Sequence, residues 1–131
     1  MRKKLRLKHK LIPVNVPKIF KEEKNYIKDC MNTGWISSEG AYVKKFENQF
    51  GKYNKRRYAV AVSSGTAALE IAIKSLNLKK GDEIIIPTFS IISSALCVIK
   101  FGLKPVLVDS NLKTWNMDVD EVIKKITTRT K

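Results

Sequence analysis

Val62-Ser63-Ser64-Gly65-Thr66-Ala67-Ala68-Leu69 joins two segments of opposite character. Before it, residues 58–62 (YAVAV) form a continuous apolar run, set off by Lys55-Arg56-Arg57. That pattern predicts a strand covered on both faces. After it, Leu69, Ile73 and Leu76 recur at helical spacing, and Thr66 opens a predicted helix over residues 67–78. A strand that turns tightly into a helix gathers unpaired backbone N–H groups at the positive end of the helix dipole, which suits an anion. Gly65 lets the backbone come close to such an anion, the Thr66 hydroxyl donates to it, and the two alanines keep the first helical turn thin. The same residues also fit an ordinary helix start, because Ser and Thr are favoured N-caps and Gly suits any tight turn. Spacing alone leaves both readings open. The stretch is neither a Walker A loop nor a G-x-G-x-x-G fingerprint, so ATP and NAD are not the first ligands to consider.

Working outward, the chain alternates. Lys79-Lys80-Gly81-Asp82 leads into Glu83-Ile84-Ile85-Ile86, a second buried strand stopped by Pro87. Residues 90–101 (SIISSALCVIKF) predict a helix closed by Gly102, and Pro105-Val106-Leu107-Val108 predicts a strand ending in Asp109. A last helix runs from about Asp118 to Lys125, and residues 126–131 (ITTRTK) lead toward another strand, as at the front end of a longer chain. Strands alternating with helices of this length argue for βαβ units, an α/β class and a mostly parallel sheet. On the N-terminal side, Ile19, Phe20, Tyr26, Ile27, Cys30 and Met31 fit one face of a helix over residues 18–31, with Gly34 as a left-handed cap. A loop of Trp35-Ile36-Ser37-Ser38-Glu39-Gly40 follows. A second amphipathic helix then carries Val43, Phe46, Phe50 and Tyr53. Residues 1–10 read as a flexible basic tail and residues 11–131 as one folded portion.

The 131 residues carry a formal net charge of +14. Six of the 26 basic residues lie in the first ten positions, and the other 20 still exceed the 12 acidic ones by 8. Such charge invites a nucleic-acid reading. The lysines, however, are scattered among Ile and Asn, with no aromatic interleaving and no zinc finger, so a solvated basic surface explains them better. Cys30 and Cys97 stand 67 positions apart without a CxxC partner, against a disulfide scaffold or a zinc site. The single histidine, His9, lies in the basic N-terminal stretch, against a Ser-His or Cys-His pair. No apolar run approaches the roughly 20 residues that span a bilayer. The composition points to a reduced, cytoplasmic setting without a membrane or metal.

Five blocks, in order, carry a specific resemblance: GWISSEGAYVKKFENQF, VSSGTAALEIAI, GDEIIIPTFSIISSA, KPVLVDSNLKTWNMD and ITTRTK. Together they resemble the DegT/DnrJ/EryC1/StrS family of pyridoxal-phosphate-dependent aminotransferases of nucleotide-linked sugars, collinearly from about Ile12 to Lys131. The resemblance implies the type I aminotransferase fold, with αβα layers around a mostly parallel sheet, of which this chain supplies the N-terminal part of the large domain. It implies that Gly65 and Thr66, with Ala67 following, hold the cofactor phosphate. In the family an aromatic residue four after the Pro of PTFTF stacks on the pyridine ring. Here that position is Ile91, an apolar cover without aromatic stacking. Trp35, Ser37 and Ser38 resemble the loop that meets the sugar nucleotide, although core packing explains Trp35 equally well. Asp109 reads as structural, because the family's pyridine-nitrogen carboxylate lies further along the chain.

The family's cofactor-bonding lysine also falls beyond the position matching Lys131, so no catalytic residue is assigned here and the chain alone is expected to be inactive. The complete enzyme is expected to act as a homodimer. It moves an amino group, commonly from glutamate, to a nucleotide keto-sugar for polysaccharide or O-antigen synthesis. TFSII and TWNMD are most similar to perosamine-synthase-type members, which act on a GDP-4-keto-6-deoxyhexose. A non-catalytic binding or regulatory remnant of the same fold is the alternative, ahead of a basic nucleic-acid-binding domain.

Overall fold

The computed structural model describes residues 12–131. The basic stretch 1–10, expected as a flexible tail, lies outside the described residues. Two compact units divide the chain, Met1–Ala59 and Val60–Lys131.

In the first unit, α1 spans Lys21–Thr33 and α2 spans Ala41–Tyr53. The expected start of α1 moves from residue 18 to Lys21. The Glu23 carboxylate accepts the Phe20 N–H at 2.9 Å, satisfying a donor that the first turn leaves open and fixing the helix start there. Glu22 and Glu23 also oppose the positive end of the helix dipole. Gly34 ends α1 at φ 72°, where a side chain would be strained, as its sequence position predicts. Gly40 precedes α2 for a different reason. A Cβ there would meet the Ser37 carbonyl at 3.3 Å, a tight contact that the loop would have to open by a few tenths of an ångström to accept. Across the two helices, the Tyr26 and Tyr42 rings lie 5.1 Å apart, and the Tyr42 hydroxyl donates to Asp29 Oδ2 at 2.9 Å.

The second unit is α/β. It comprises α3 (Gly65–Ser75), β1 (Glu83–Pro87), α4 (Ser93–Lys100), β2 (Lys104–Val108) and α5 (Val119–Lys125). The two strands pair in parallel, from Glu83 opposite Lys104 to Pro87 opposite Val108. A parallel pair needs a crossover, and α4 supplies it. Ile86 of β1, Val98 of α4 and Leu103 form the buried centre, with Ile73, Leu78, Ile84, Ala95 and Phe101 packed around it. Each such side chain contributes about 1.5–3 kcal/mol when fully buried. Pro105 lacks a backbone donor, which suits the outer strand it occupies in this pair. The Lys125 ammonium further caps that strand, donating to the Leu107 carbonyl at 2.6 Å.

Three expectations need correction. Residues 58–62 are not part of the sheet, and Tyr58 and Val60 are exposed. An apolar run becomes a strand only when a neighbouring backbone completes its ladder, and the sheet described here consists of β1 and β2. The expected 90–101 helix shortens to Ser93–Lys100, with Ser90, Ile91 and Ile92 outside it. The helix expected over residues 67–78 ends at Ser75, and of its apolar residues Leu69, Ile73 and Leu76 only Ile73 packs against the core, the other two being exposed.

On the far flank of β1, residues 126–131, expected to lead into a strand, make one isolated bridge and no strand. Thr130 bridges Glu83 in parallel: the Glu83 N–H donates to the Arg129 carbonyl at 2.9 Å and the Lys131 N–H to the Glu83 carbonyl at 3.1 Å. Glu83 is only 2% exposed, and its carboxylate is paired from several sides. Thr127 Oγ1 donates at 2.6 Å, Arg129 Nη2 at 2.9 Å, Arg129 Nε at 3.2 Å and Lys104 Nζ at 3.2 Å. The Thr127 hydroxyl first, with Arg129 and Lys104, lowers the Glu83 carboxyl to about 2. Burial opposes that shift and is overcome.

Candidate functional site

The junction that decides the sequence reading is the start of α3. Ser64 is its N-cap, extended at φ −162° and ψ 163°, and its hydroxyl accepts the Ala67 N–H at 3.2 Å. The Ser64 carbonyl takes the Ala68 N–H at 3.0 Å. The N–H groups of Gly65 and Thr66 have no acceptor among the described residues, as the geometry of a helix start requires. A Cβ added to Gly65 would meet nothing within 4 Å, and Gly65 and Thr66 are both exposed. Ser64 thus acts as the cap, a role the sequence reading gave to Thr66. That frees Thr66 to direct its hydroxyl elsewhere.

The Thr66 hydroxyl points to α4, where Thr66 Oγ1 donates to Ser93 Oγ at 3.2 Å. Further along, Cys97 Sγ lies 3.7 Å from the Thr66 carbonyl, and Lys100 pairs with Glu70 at 2.6 Å. Residues 66, 66 and 70 of α3 therefore meet residues 93, 97 and 100 of α4, so the helices run side by side in the same direction. Their N-termini share one end, where β1 delivers the chain to α4. In open α/β sheets ligands gather outside the carboxyl ends of the strands. Two helix N-termini and the hydroxyls of Thr66 and Ser93 come together at this end, an arrangement of dipoles that suits an anion.

The other expected positions are distributed as follows. Ile91 is exposed, two residues before Ser93. Asp109 follows β2, and its Oδ1 accepts from Thr88 Oγ1 at 3.2 Å and from the Ser110 N–H at 2.8 Å. Its carbonyl takes the Asp118 N–H at 3.0 Å, so this residue braces the loop ahead of α5. Trp35 and Ser37 belong to the first unit. There they line a groove of about 530 Å³ between α1 and α2, together with Tyr26, Met31, Tyr42 and Phe46. Ser37 also closes its own turn: its hydroxyl takes the Glu39 N–H at 3.4 Å and its carbonyl the Gly40 N–H at 3.1 Å. Ser38 is exposed in the same turn. Lys45 holds its ammonium 4.9 Å above the Tyr26 ring, at the groove. Hydrogen bonding to Asp29 raises the Tyr42 hydroxyl pKa.

The sequence does not single out Ser93, Tyr42 or Lys45, and it offers Tyr26 only as part of an apolar helix face. Tyr42 and Lys45 share a helix face at i, i+3, a signal that was present, but nothing local ties Tyr26 to them or Ser93 to Thr66.

The model of the DegT/DnrJ/EryC1/StrS aminotransferase family matches residues 17–131. The GDP-perosamine synthase of Escherichia coli O157:H7 is 43% identical over 122 residues, covering 93% of this chain and 34% of that protein. The GDP-perosamine synthase of Vibrio cholerae is 36% identical over 121 residues, covering 92% of this chain and 33% of that protein. The solved Escherichia coli GDP-4-keto-6-deoxy-D-mannose-3-dehydratase, with bound hydrated pyridoxal phosphate, superposes with a TM-score of 0.82. It is 33% identical and covers 91% of this chain and 32% of that one. The chain thus spans about a third of the length of the relatives it matches. The fold, the collinear blocks and the matched span lead to one conclusion: the chain belongs to the DegT/DnrJ/EryC1/StrS aminotransferase family.

Proposed function

We propose that this chain contributes the cofactor-phosphate loop and the sugar-nucleotide loop of a pyridoxal-phosphate-dependent aminotransferase. The enzyme moves an amino group, from glutamate, to a GDP-linked 4-keto-6-deoxyhexose for polysaccharide or O-antigen synthesis. The observation that carries the reading is the start of α3, with two open N–H groups beside an unobstructed Gly65 and the Thr66 hydroxyl at hand. A phosphate fits that donor set, because it brings negative charge to the positive end of a helix and oxygens to the two N–H groups without partners among the described residues.

When bound, pyridoxal phosphate supplies an electron sink for the reacting amino group. The residues of this chain supply binding and orientation. Gly65 and Thr66 hold the phosphate through backbone N–H groups, and Thr66 adds its hydroxyl. Ala67 keeps the first turn thin while its own N–H is taken by Ser64. Ile91 covers the cofactor ring with an apolar side chain. Trp35, Ser37 and Ser38 meet the sugar nucleotide, with Trp35 offering a ring face and the serines hydroxyls. No lysine of residues 1–131 is assigned the bond to the cofactor, and the chain alone does not transaminate. The complete enzyme works as a cytoplasmic homodimer. Among the described residues no helix is long and apolar enough to cross a membrane.

Thr66→Val tests the loop. Valine keeps the shape and removes the donor at an exposed site, so the fold stays intact. A hydrogen bond to a charged acceptor contributes about 1.5–3 kcal/mol, so affinity for pyridoxine 5′-phosphate, which lacks the lysine-reactive aldehyde, falls roughly ten- to a hundredfold. Unchanged affinity by calorimetry would remove Thr66 from the site.

A further inference from the structure

The hydroxyls of Thr66 and Ser93 lie 3.2 Å apart and belong to different helices. We propose that Ser93 is a positioning residue for the phosphate loop, aiming the Thr66 O–H at the bound phosphate. The inference rests on the phosphate reading above and adds to it a residue outside the 64–67 loop.

Two hydroxyls joined by one hydrogen bond hold two protons between them, and only one proton is engaged. Without an anion, Thr66 donates to Ser93. When a phosphate oxygen approaches the open N–H groups of Gly65 and Thr66, the bond reverses. Ser93 then donates to Thr66 Oγ1, and the Thr66 O–H, keeping its proton, donates a hydrogen bond to the phosphate. The reversal takes two O–H rotations and no movement of heavy atoms. A Thr66 hydroxyl that already accepts a hydrogen bond is a more polarised donor and has one rotor position fixed. The spacing of the pair is not left to the side chains themselves. Cys97 Sγ against the Thr66 carbonyl and the Lys100–Glu70 ion pair hold α3 and α4 side by side, and the buried Cys97 and Val98 anchor α4 beneath them. Ser93 is the first residue of α4, so its hydroxyl extends the cradle from one helix N-terminus to two.

The test compares pyridoxine 5′-phosphate with pyridoxine, which share a ring and differ in the phosphate. Binding to the chain is followed by the amide resonances of Gly65 and Thr66, which separates this loop from diffuse attraction to a chain of net charge +14. Ser93→Ala should weaken the phosphate ligand roughly three- to tenfold, in line with one hydrogen bond, and leave pyridoxine unchanged. Ser93→Thr should restore the wild-type ratio. Equal weakening of both ligands, or failure of Ser93→Thr to rescue, would make Ser93 a purely structural residue and overturn the proposal. An unchanged ratio in Ser93→Ala, with the wild-type loop responding to phosphate, overturns the Ser93 role and leaves the phosphate reading standing. A wild-type loop that does not respond to pyridoxine 5′-phosphate overturns both.

Discussion

Gly65→Ala should make the chain more stable and its phosphate loop worse, and the structure gives both signs. Gly65 is the first residue of α3, its φ is not positive, and a Cβ there meets nothing within 4 Å. Alanine therefore fits the folded backbone without strain while restricting the unfolded chain, a gain of about 0.4–1 kcal/mol. For a unit the size of Val60–Lys131, that raises the melting temperature by roughly 2–8 °C. The methyl group would also stand on the first residue of α3, next to the Gly65 and Thr66 N–H groups that have no acceptor among the described residues. A phosphate pushed outward by a methyl radius loses good geometry to at least one N–H, so affinity for pyridoxine 5′-phosphate should fall roughly tenfold or more. Thermal unfolding followed by circular dichroism and calorimetric titration of the same sample read the two effects. A destabilised Gly65→Ala chain would refute the backbone argument, and a stabilised one with full affinity would show that the anion does not approach there.

Other perturbations bear on different parts of the account. Glu83 titrates at about 2 in the folded chain, against an ordinary value of 4.5. Its contribution is therefore complete above pH 4.5 and lost as the pH falls toward 2, and Glu83→Gln should remove that part of the acid dependence. Exchange protection of the Glu83 and Lys131 amides across that window checks it; protection unchanged at pH 2 would contradict it. Trp35 and Trp115 are the two tryptophans, so in Trp115→Phe fluorescence reports Trp35 alone. GDP should quench that signal saturably if Trp35 meets a nucleotide, and a linear collisional response counts against the groove. Borohydride reduction of the chain with pyridoxal phosphate should label several lysines weakly. Stoichiometric labelling of one would place the cofactor-bonding lysine within residues 1–131.

How far the sequence carried the fold depended on the range of the interactions involved. β1 and β2 were legible because Ile84-Ile85-Ile86 and Val106-Leu107-Val108 are short apolar runs flanked by turn residues, and α4 between them buries Cys97 and Val98. Gly34 was legible because a left-handed cap is a one-residue requirement. Residues 58–62 misled, since an apolar run says what a segment would bury, whereas a strand exists only where another backbone completes its ladder. The Glu83 cluster was invisible for a similar reason. Its partners Thr127 and Arg129 lie 44 and 46 positions away, and nothing local to Glu83 announces them. At the candidate site, a helix start within a residue or two of Gly65 was legible because it needs neighbouring residues only. The identity of the cap, Ser64, depended on its extended backbone and on its hydroxyl accepting the Ala67 N–H. Ser93 depended on the packing of α3 against α4 and was not found at all.

The central claim is that the start of α3 is a phosphate site, and a crystal structure of the chain with pyridoxine 5′-phosphate tests it most directly. Phosphate oxygens should lie within about 3.2 Å of the Gly65 and Thr66 nitrogens and of Thr66 Oγ1. A phosphate bound instead by surface lysines, with the start of α3 open, would contradict it.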